Sequence, residues 1–195
     1  MFHMRGLLLI LILTFIFQSF TKADDIRDFE IEGMSIGLSL LKFMSKNEIN
    51  NLDKYDYSGK YKGIVLKNLN FIKFDDVQLS YKNDDSYLIS SLAGRIHFKN
   101  KPFAECLSLQ KKIKNDLSVL FKEAEINKTL KRKHPADKSG KSFTYGIWFN
   151  LLDGSSVAIV CYDWGKKMEK EVTDKLMVTL MLSEFSDFLN NEHYN

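Results

Sequence analysis

The chain has 195 residues, 45% of them hydrophobic and 13% aromatic, with 28 basic and 25 acidic side chains. This composition supports a sizeable core and excludes a globally disordered chain. The two prolines and two cysteines exclude proline-rich and disulfide-dense proteins and a four-cysteine zinc site, and the small net charge offers no global case for binding nucleic acid.

The first 23 residues have the organisation of a secretory signal peptide. Arg5 precedes a run over 7–17 that is apolar apart from Thr14, and small residues stand before a cleavage site after Ala23. The run is shorter than the roughly 20 apolar residues that a membrane span needs. We therefore expect 24–195 to be a periplasmic or secreted protein without a membrane span, an uncleaved N-terminal anchor being the alternative.

The first half of the mature chain begins with a helical pattern and continues with strand patterns. Approximately helical spacing of apolar residues predicts a helix over about 38–52. Alternating or β-prone residues predict strands over 61–66, 75–82 and 88–98. Asn83-Asp84-Asp85, between the last two strands, is typical of a turn.

The second half contains the clearest helix and a hairpin. Pro102 opens a helix whose apolar stripe extends to Ala124. A basic loop is predicted over 128–141, and a β-hairpin over 143–164 turns at Asp153-Gly154.

The end of the chain is less determined by its pattern. Alternation over 174–183 favours a final strand, although its leucine and methionine spacing also fits a helix. A short helix is predicted over 184–189. Which structure the 174–183 segment adopts is left open at this point.

Together these elements predict a single α+β domain over 24–195, with an antiparallel sheet and two helices packed on it. A tandem αβββ arrangement would divide it into halves 34–100 and 101–195. Ser58-Gly59-Lys60 and Ser139-Gly140-Lys141 each precede the first strand of a half, which suggests duplication. The helix starts are spaced differently from these tripeptides, so duplication is left open.

The two cysteines are expected to meet. Cys106 lies on the apolar stripe of the long helix, and Cys161 lies on the hairpin face that carries Val157 and Ile159. In an oxidising compartment this favours a disulfide between helix and sheet. Two separate buried thiols are the alternative, and neither cysteine has a histidine near it in the predicted elements, as a catalytic thiol would require.

One segment matches a nucleophile motif. Gly33-Met34-Ser35-Ile36-Gly37 fits G-x-S-x-G, which makes Ser35 a weak candidate for a catalytic nucleophile. That motif needs several strands upstream, and only a short mature segment precedes it here. A turn or cap at the start of a helix is the favoured interpretation.

Other motifs are incomplete. Gly37–Leu40 lacks the aspartate of the G-D-S-L signature, and Gly140-Lys141-Ser142 lacks the first glycine of a phosphate-binding loop, where Pro135 stands. The mature histidines do not form a metal-binding pair. We therefore expect no metal and no cofactor. These histidines are His97, His134 and His193.

Two features of the second half predict binding. The basic loop could hold an anionic envelope component or the acidic patch of an envelope protein, the alternative being a solvated loop. The hairpin carries large rings on both faces, which predicts a binding platform unless both faces are covered. The loop itself has no interleaved aromatics, so nucleic acid is not an expected partner. The candidate binding residues are Lys131, Arg132, Lys133, Lys138, Lys141, Tyr145, Trp148 and Trp164.

Four segments resemble small exported proteins of unknown function from AT-rich marine bacteria. The segments are Asp25–Gly37, Asp137–Ser142, Cys161–Trp164 and Glu184–Phe188. The resemblance implies a Gram-negative periplasmic setting and implies no activity. The function expected first is a non-catalytic periplasmic binding or accessory module acting through 143–164 and 128–141. A small serine hydrolase using Ser35 and a purely structural envelope protein are the alternatives.

Overall fold

The computed structural model describes residues 25–67, 70–168 and 172–193. The predicted signal peptide over 1–23 lies outside the described residues. Within the described ranges the chain combines a large antiparallel sheet with short and long helices, which confirms the α+β prediction.

Eight antiparallel strands form one sheet in the order β1-β2-β3-β4-β8-β7-β6-β5. Strands β1 to β4 and β5 to β8 each follow one another in sequence, and the two sets meet where β4 pairs with β8. The strands are β1 Tyr55–Tyr57, β2 Tyr61–Leu66, β3 Asp76–Lys82, β4 Ile89–His97, β5 Glu125–Lys133, β6 Phe143–Asn150, β7 Ser156–Asp163 and β8 Lys175–Met181.

The sequence pattern missed the two edge strands, so each half has four strands rather than the predicted three. Strand β1 is too short to show alternation, and its Tyr55 is 61% exposed. Strand β5 carries the basic residues that suggested a loop. The prediction of a loop over 128–141 is therefore wrong for residues 128–133, which belong to this strand. Lysine-rich edges are a common way to prevent a sheet from pairing with another chain.

The helices are α1 Lys46–Asn50, α2 Phe103–Leu120 and α3 Ser183–Phe188. The single helix predicted over 38–52 is replaced by a 3-10 turn, Leu40–Lys42, and by α1. The interruption has a local cause. The backbone of Leu38 accepts a hydrogen bond from Ile89 of β4, and Ser45 forms a capping box with Glu48 that starts a new helix.

The core lies on one face of the sheet, which we call the core face. Val77 and Leu79 of β3 and Leu176 and Val178 of β8 point to this face, where α2 and the N-terminal segment cover them. The predicted disulfide is present: Cys106 of α2 bonds to Cys161 of β7, with the two Cα atoms 6.1 Å apart.

The 174–183 segment is a strand, since β8 is hydrogen-bonded to β4 on one side and to β7 on the other. The helix-like pattern of its apolar residues has a simple origin. Leu176, Val178 and Leu180 lie on the core face, while Met177 and Met181 lie on the opposite face.

The second face of the sheet is only partly covered by the described helices. At one corner, Phe185 and Phe188 of α3 pack on Tyr61, with ring centroids 4.8 and 4.9 Å away. Helix α2 lies on the other side of the sheet. We call the remaining part of this second face, formed by β3, β4, β8, β7, β6 and β5, the open face.

Candidate functional site

The strand register brings polar side chains into one row across the open face. His97 of β4 is paired with Lys175 of β8, which is paired with Tyr162 of β7. Tyr162 is paired with Thr144 of β6, and Thr144 with Arg132 of β5. Neighbouring strands are about 4.8 Å apart, so the row spans about 19 Å. We call these five residues the polar row.

A buried ion pair supports one end of the polar row. The Arg95 guanidinium donates to Asp76 and, through Nη1, to Gln78 Oε1 at 3.2 Å. His97 Nε2 lies 2.8 Å from the other Asp76 oxygen. Burial tends to raise the pKa of Asp76, but the hydrogen bonds from Arg95 and His97 outweigh it and hold the pKa below its ordinary value. The carboxylate is therefore ionised and already paired.

Lys175 has no such counter-ion. Its Nζ lies 5.2 Å from the centroid of the Tyr162 ring, and it forms no ion pair within the described part of the chain. Burial lowers the pKa of Lys175, the nearby Arg95 lowers it further, and Asp76 opposes the shift. A desolvated ammonium beside a guanidinium attracts an anion.

Aromatic rings border the polar row. Trp164 is 7% exposed, and the centroid of its ring lies 4.4 Å from that of the tilted His134 ring and 6.0 Å from that of Tyr162, on which it stacks. Trp148 lies over Gly146, where a Cβ atom would stand 2.0 Å from the indole, so only glycine leaves room for the ring. We call Trp148, Tyr162 and Trp164 the aromatic band.

Three buried polar atoms on this side of the sheet have no hydrogen-bond partner among the described residues. They are His97 Nδ1, Trp164 Nε1 and Thr179 Oγ1. Thr179 is 7% exposed and stands between Ala93 and Ala158, whose short side chains leave a shallow floor. Thr179 lies four residues along β8 from Lys175, the partner of His97, so these atoms are spread over the open face. An unsatisfied buried polar group costs about 1–3 kcal/mol, which suggests that each is completed by a group outside the described residues.

An ordered turn places His134 against the aromatic band. The turn follows β5, and Asp137 accepts hydrogen bonds from Ser142 Oγ at 2.6 Å and from the backbone and hydroxyl of Ser139. The Ser142 and Ser139 hydrogen bonds lower the pKa of Asp137 well below its ordinary value. The backbone N–H of His134 donates to the Ser142 carbonyl, which closes the turn.

The structure brings three of the predicted binding residues to this site. Trp148 and Trp164 belong to the aromatic band, and Arg132 ends the polar row. Tyr145 lies on the core face instead, where its ring contacts Phe103 at 5.3 Å.

The remaining predicted basic residues are not members of the polar row. Lys131 packs its ammonium 3.9 Å from the centroid of the Phe143 ring. Lys133 is paired with Phe143 at the end of the edge strand, and its side chain approaches Gly140. Lys138 and Lys141 are exposed on the turn after β5.

Ser35 lies on the N-terminal segment, where it is 6% exposed between the buried Met34 and Ile36. The glycine before it belongs to a tight turn closed by pairing of Ile31 with Met34. No histidine hydrogen bond to Ser35 occurs among the described residues.

A serine–histidine contact does occur elsewhere, and the sequence analysis did not identify it. Ser58 Oγ and His193 Nδ1 are 2.9 Å apart on the exposed surface. Ser58 and Gly59, both with positive φ, form the β1–β2 turn, and Asp56 is bound to the Gly59 N–H and to Lys62. The contact therefore ties the C-terminal turn to the β1–β2 hairpin.

The sequence analysis also missed most of the polar row. The alternation of β3 and β4 put Asp76, Arg95 and His97 on the polar side of their strands, which is a usable signal. Nothing local indicated that Lys175 and Tyr162 would stand beside them, because that depends on the β4–β8 and β8–β7 pairings.

The described ranges contain no group of three or more histidine, cysteine or acidic side chains that could hold a metal ion. None of the helices in these ranges is long and apolar enough to cross a membrane.

Comparison of the chain with protein-family models, with curated proteins and with solved structures gave no match.

Proposed function

We propose that this protein is a non-catalytic binding module of an extracytoplasmic compartment, most simply the periplasm, and that it binds its ligand on the polar row and the aromatic band. The observation that carries the proposal is Lys175, a partly buried lysine beside Arg95 that forms no ion pair within the described part of the chain. Three unpartnered buried polar atoms on the same side of the sheet support it. A ligand would supply the partners that these groups do not find among the described residues.

Three observations support the compartment. The Cys106–Cys161 disulfide suits an oxidising environment. The resemblance to small exported bacterial proteins and the signal-like segment over 1–23 agree with it. An anionic component of the envelope is then the expected class of partner, as the basic residues of β5 also suggested.

Native mass spectrometry of the full chain, incubated with envelope extract of its host, tests the proposal. We expect a bound mass on the wild-type protein and its loss from Lys175→Met. The matched control is Lys131→Met, which removes a lysine ammonium that contacts Phe143 away from the polar row. Equal adducts on all three proteins, or none on the wild type, would refute binding at this site.

A further inference from the structure

We infer that the ligand is an acidic carbohydrate, a hydroxylated ring that bears a carboxylate; this inference rests on the proposed function. Three requirements of the site lead to this class: a negative charge, hydrogen-bond donors as well as acceptors, and a flat face. Each requirement follows from different residues.

The negative charge follows from an imbalance on the open face. Asp76 is paired with Arg95 and His97, so it does not neutralise Lys175. Arg132 adds a second cation at the far end of the polar row. A carboxylate placed at Lys175 would provide the missing counter-ion in a poorly solvated position, where charge-assisted hydrogen bonds are strong.

The need for donors follows from His97. Its Nε2 faces the ionised Asp76 carboxylate, so in the neutral ring Nε2 carries the proton and the buried Nδ1 is an acceptor. A bare carboxylate or phosphate cannot donate to it. Trp164 Nε1, in contrast, can only donate, and Thr179 Oγ1 can do both. Hydroxyl groups, which donate and accept, match this mixed set.

The flat face follows from the aromatic band. Trp148 is partly exposed beside Ala158, and Tyr162 is partly exposed within the polar row. The negative faces of such rings attract the positively polarised C–H groups of a sugar ring. A free sugar acid and an acidic polysaccharide share this chemistry. Lys175 and Arg132 are three strands apart, about 14 Å, so only an oligomer would contact both.

Isothermal titration calorimetry of the full chain tests the inference with galacturonate, trigalacturonate, the neutral trisaccharide maltotriose and benzoate. We expect trigalacturonate to bind at least tenfold more tightly than maltotriose and benzoate. Lys175→Met should weaken binding of both uronates at least tenfold. Arg132→Gln should weaken the trimer selectively, and the control Lys131→Gln should change neither.

The possible outcomes distinguish failure of the inferred ligand class from failure of the proposed function. If maltotriose binds as tightly as trigalacturonate, the site does not recognise charge. If benzoate binds as tightly, the site does not recognise hydroxyl groups. Either result would overturn the inference that the ligand is an acidic carbohydrate. If an extract adduct depends on Lys175 but no uronate binds, the inference fails and the proposed function stands. If the adduct is also absent, both fail. Unfolding midpoints of the variants show whether they remain folded.

Discussion

Lys175 and His97 are cross-strand neighbours on the open face, and the nearby Asp76 carboxylate is bound to His97 and Arg95 rather than to Lys175. The sheet therefore holds a lysine in a poorly hydrated position without neutralising it. Groups whose pKa is shifted by burial and by a like charge concentrate at functional sites, because a site built only for stability would have replaced them.

Lys175→Met should stabilise the ligand-free protein by about 1 kcal/mol at pH 7, because it removes a desolvated charge and keeps a long unbranched side chain. In the folded protein the pKa of Lys175 is lowered, so between that pKa and the unfolded value of about 10.4 the unfolded state binds more protons. The free energy of unfolding of the wild type should thus rise with pH in this window. The difference by which Lys175→Met is more stable than the wild type should therefore shrink.

Urea unfolding at pH 7 and pH 10 measures both effects. Among the described residues, the titratable and charged groups near Lys175 include Asp76, Arg95, His97, His134 and Tyr162. Lys131→Met is the control, since its ammonium lies against Phe143 on the exposed edge strand. A Lys175→Met protein less stable than the wild type at pH 7 would contradict the prediction.

Asp76→Asn should destabilise the fold by about 3 kcal/mol, because it leaves the guanidinium of Arg95, whose side chain is 11% exposed, without its carboxylate. The pKa of Asp76 is lowered in the folded protein. Its contribution to stability is thus complete above the unfolded value of about 3.9 and is lost as the pH falls through the folded pKa.

Denaturant titrations between pH 6 and pH 2 check this prediction. The difference in free energy of unfolding between the wild type and Asp76→Asn should be constant near neutral pH and should become smaller in acid. Asp56→Asn is a suitable comparison, because Asp56 forms its ion pair with Lys62 on the exposed side of the β1–β2 hairpin. If Asp76→Asn lost no more free energy of unfolding than Asp56→Asn, the Asp76–Arg95 pair would not be important for stability.

Removal of the disulfide with Cys106→Ala and Cys161→Ala together should cost about 4 kcal/mol, because the bond closes a loop with a sequence separation of 55. Unfolding curves with and without dithiothreitol measure it. Reductant should lower the midpoint of the wild type and leave that of the double variant unchanged. A wild type insensitive to complete reduction would contradict the estimate.

Replacement of Lys128 and Lys131 by valine should promote self-association, because both lie on the exposed edge strand β5, whose free backbone groups can pair with another chain. Sedimentation velocity over a range of concentrations detects it. Valine at Lys111 and Lys112, exposed on α2, is the matched control for added surface hydrophobicity. If both double variants associate equally, the strand edge is not the cause.

The helix α2 and the β6–β7 hairpin were predictable because the apolar residues of each recur with a strong, uninterrupted periodicity. The helix over 38–52 was mispredicted because a capping residue, Ser45, and a pairing with β4 break a segment whose apolar spacing is helical. Strand β5 was missed because its charges reflect its edge position rather than a loop. In each case tertiary context decided between local alternatives.

The candidate site was only partly predictable for a related reason. Trp148 and Trp164 were identified from one hairpin, where sequence neighbours are also spatial neighbours. The polar row joins residues from five strands, and Arg95 with Lys175 are close only because β4 and β8 are adjacent in the sheet. Strand order is a property of the whole sheet, and local periodicity does not contain it.

The meeting of β4 and β8 has a consequence for folding. The first set of four strands contributes His97 and the Asp76–Arg95 pair behind it, and the second set contributes the other four members of the polar row. A chain that has completed only one set therefore presents an incomplete site. A ligand would bind only the fully assembled sheet and would stabilise it by mass action. Bound ligand would make the two halves unfold as one cooperative unit. The fraction of protein that binds ligand would therefore equal the fraction whose sheet is complete.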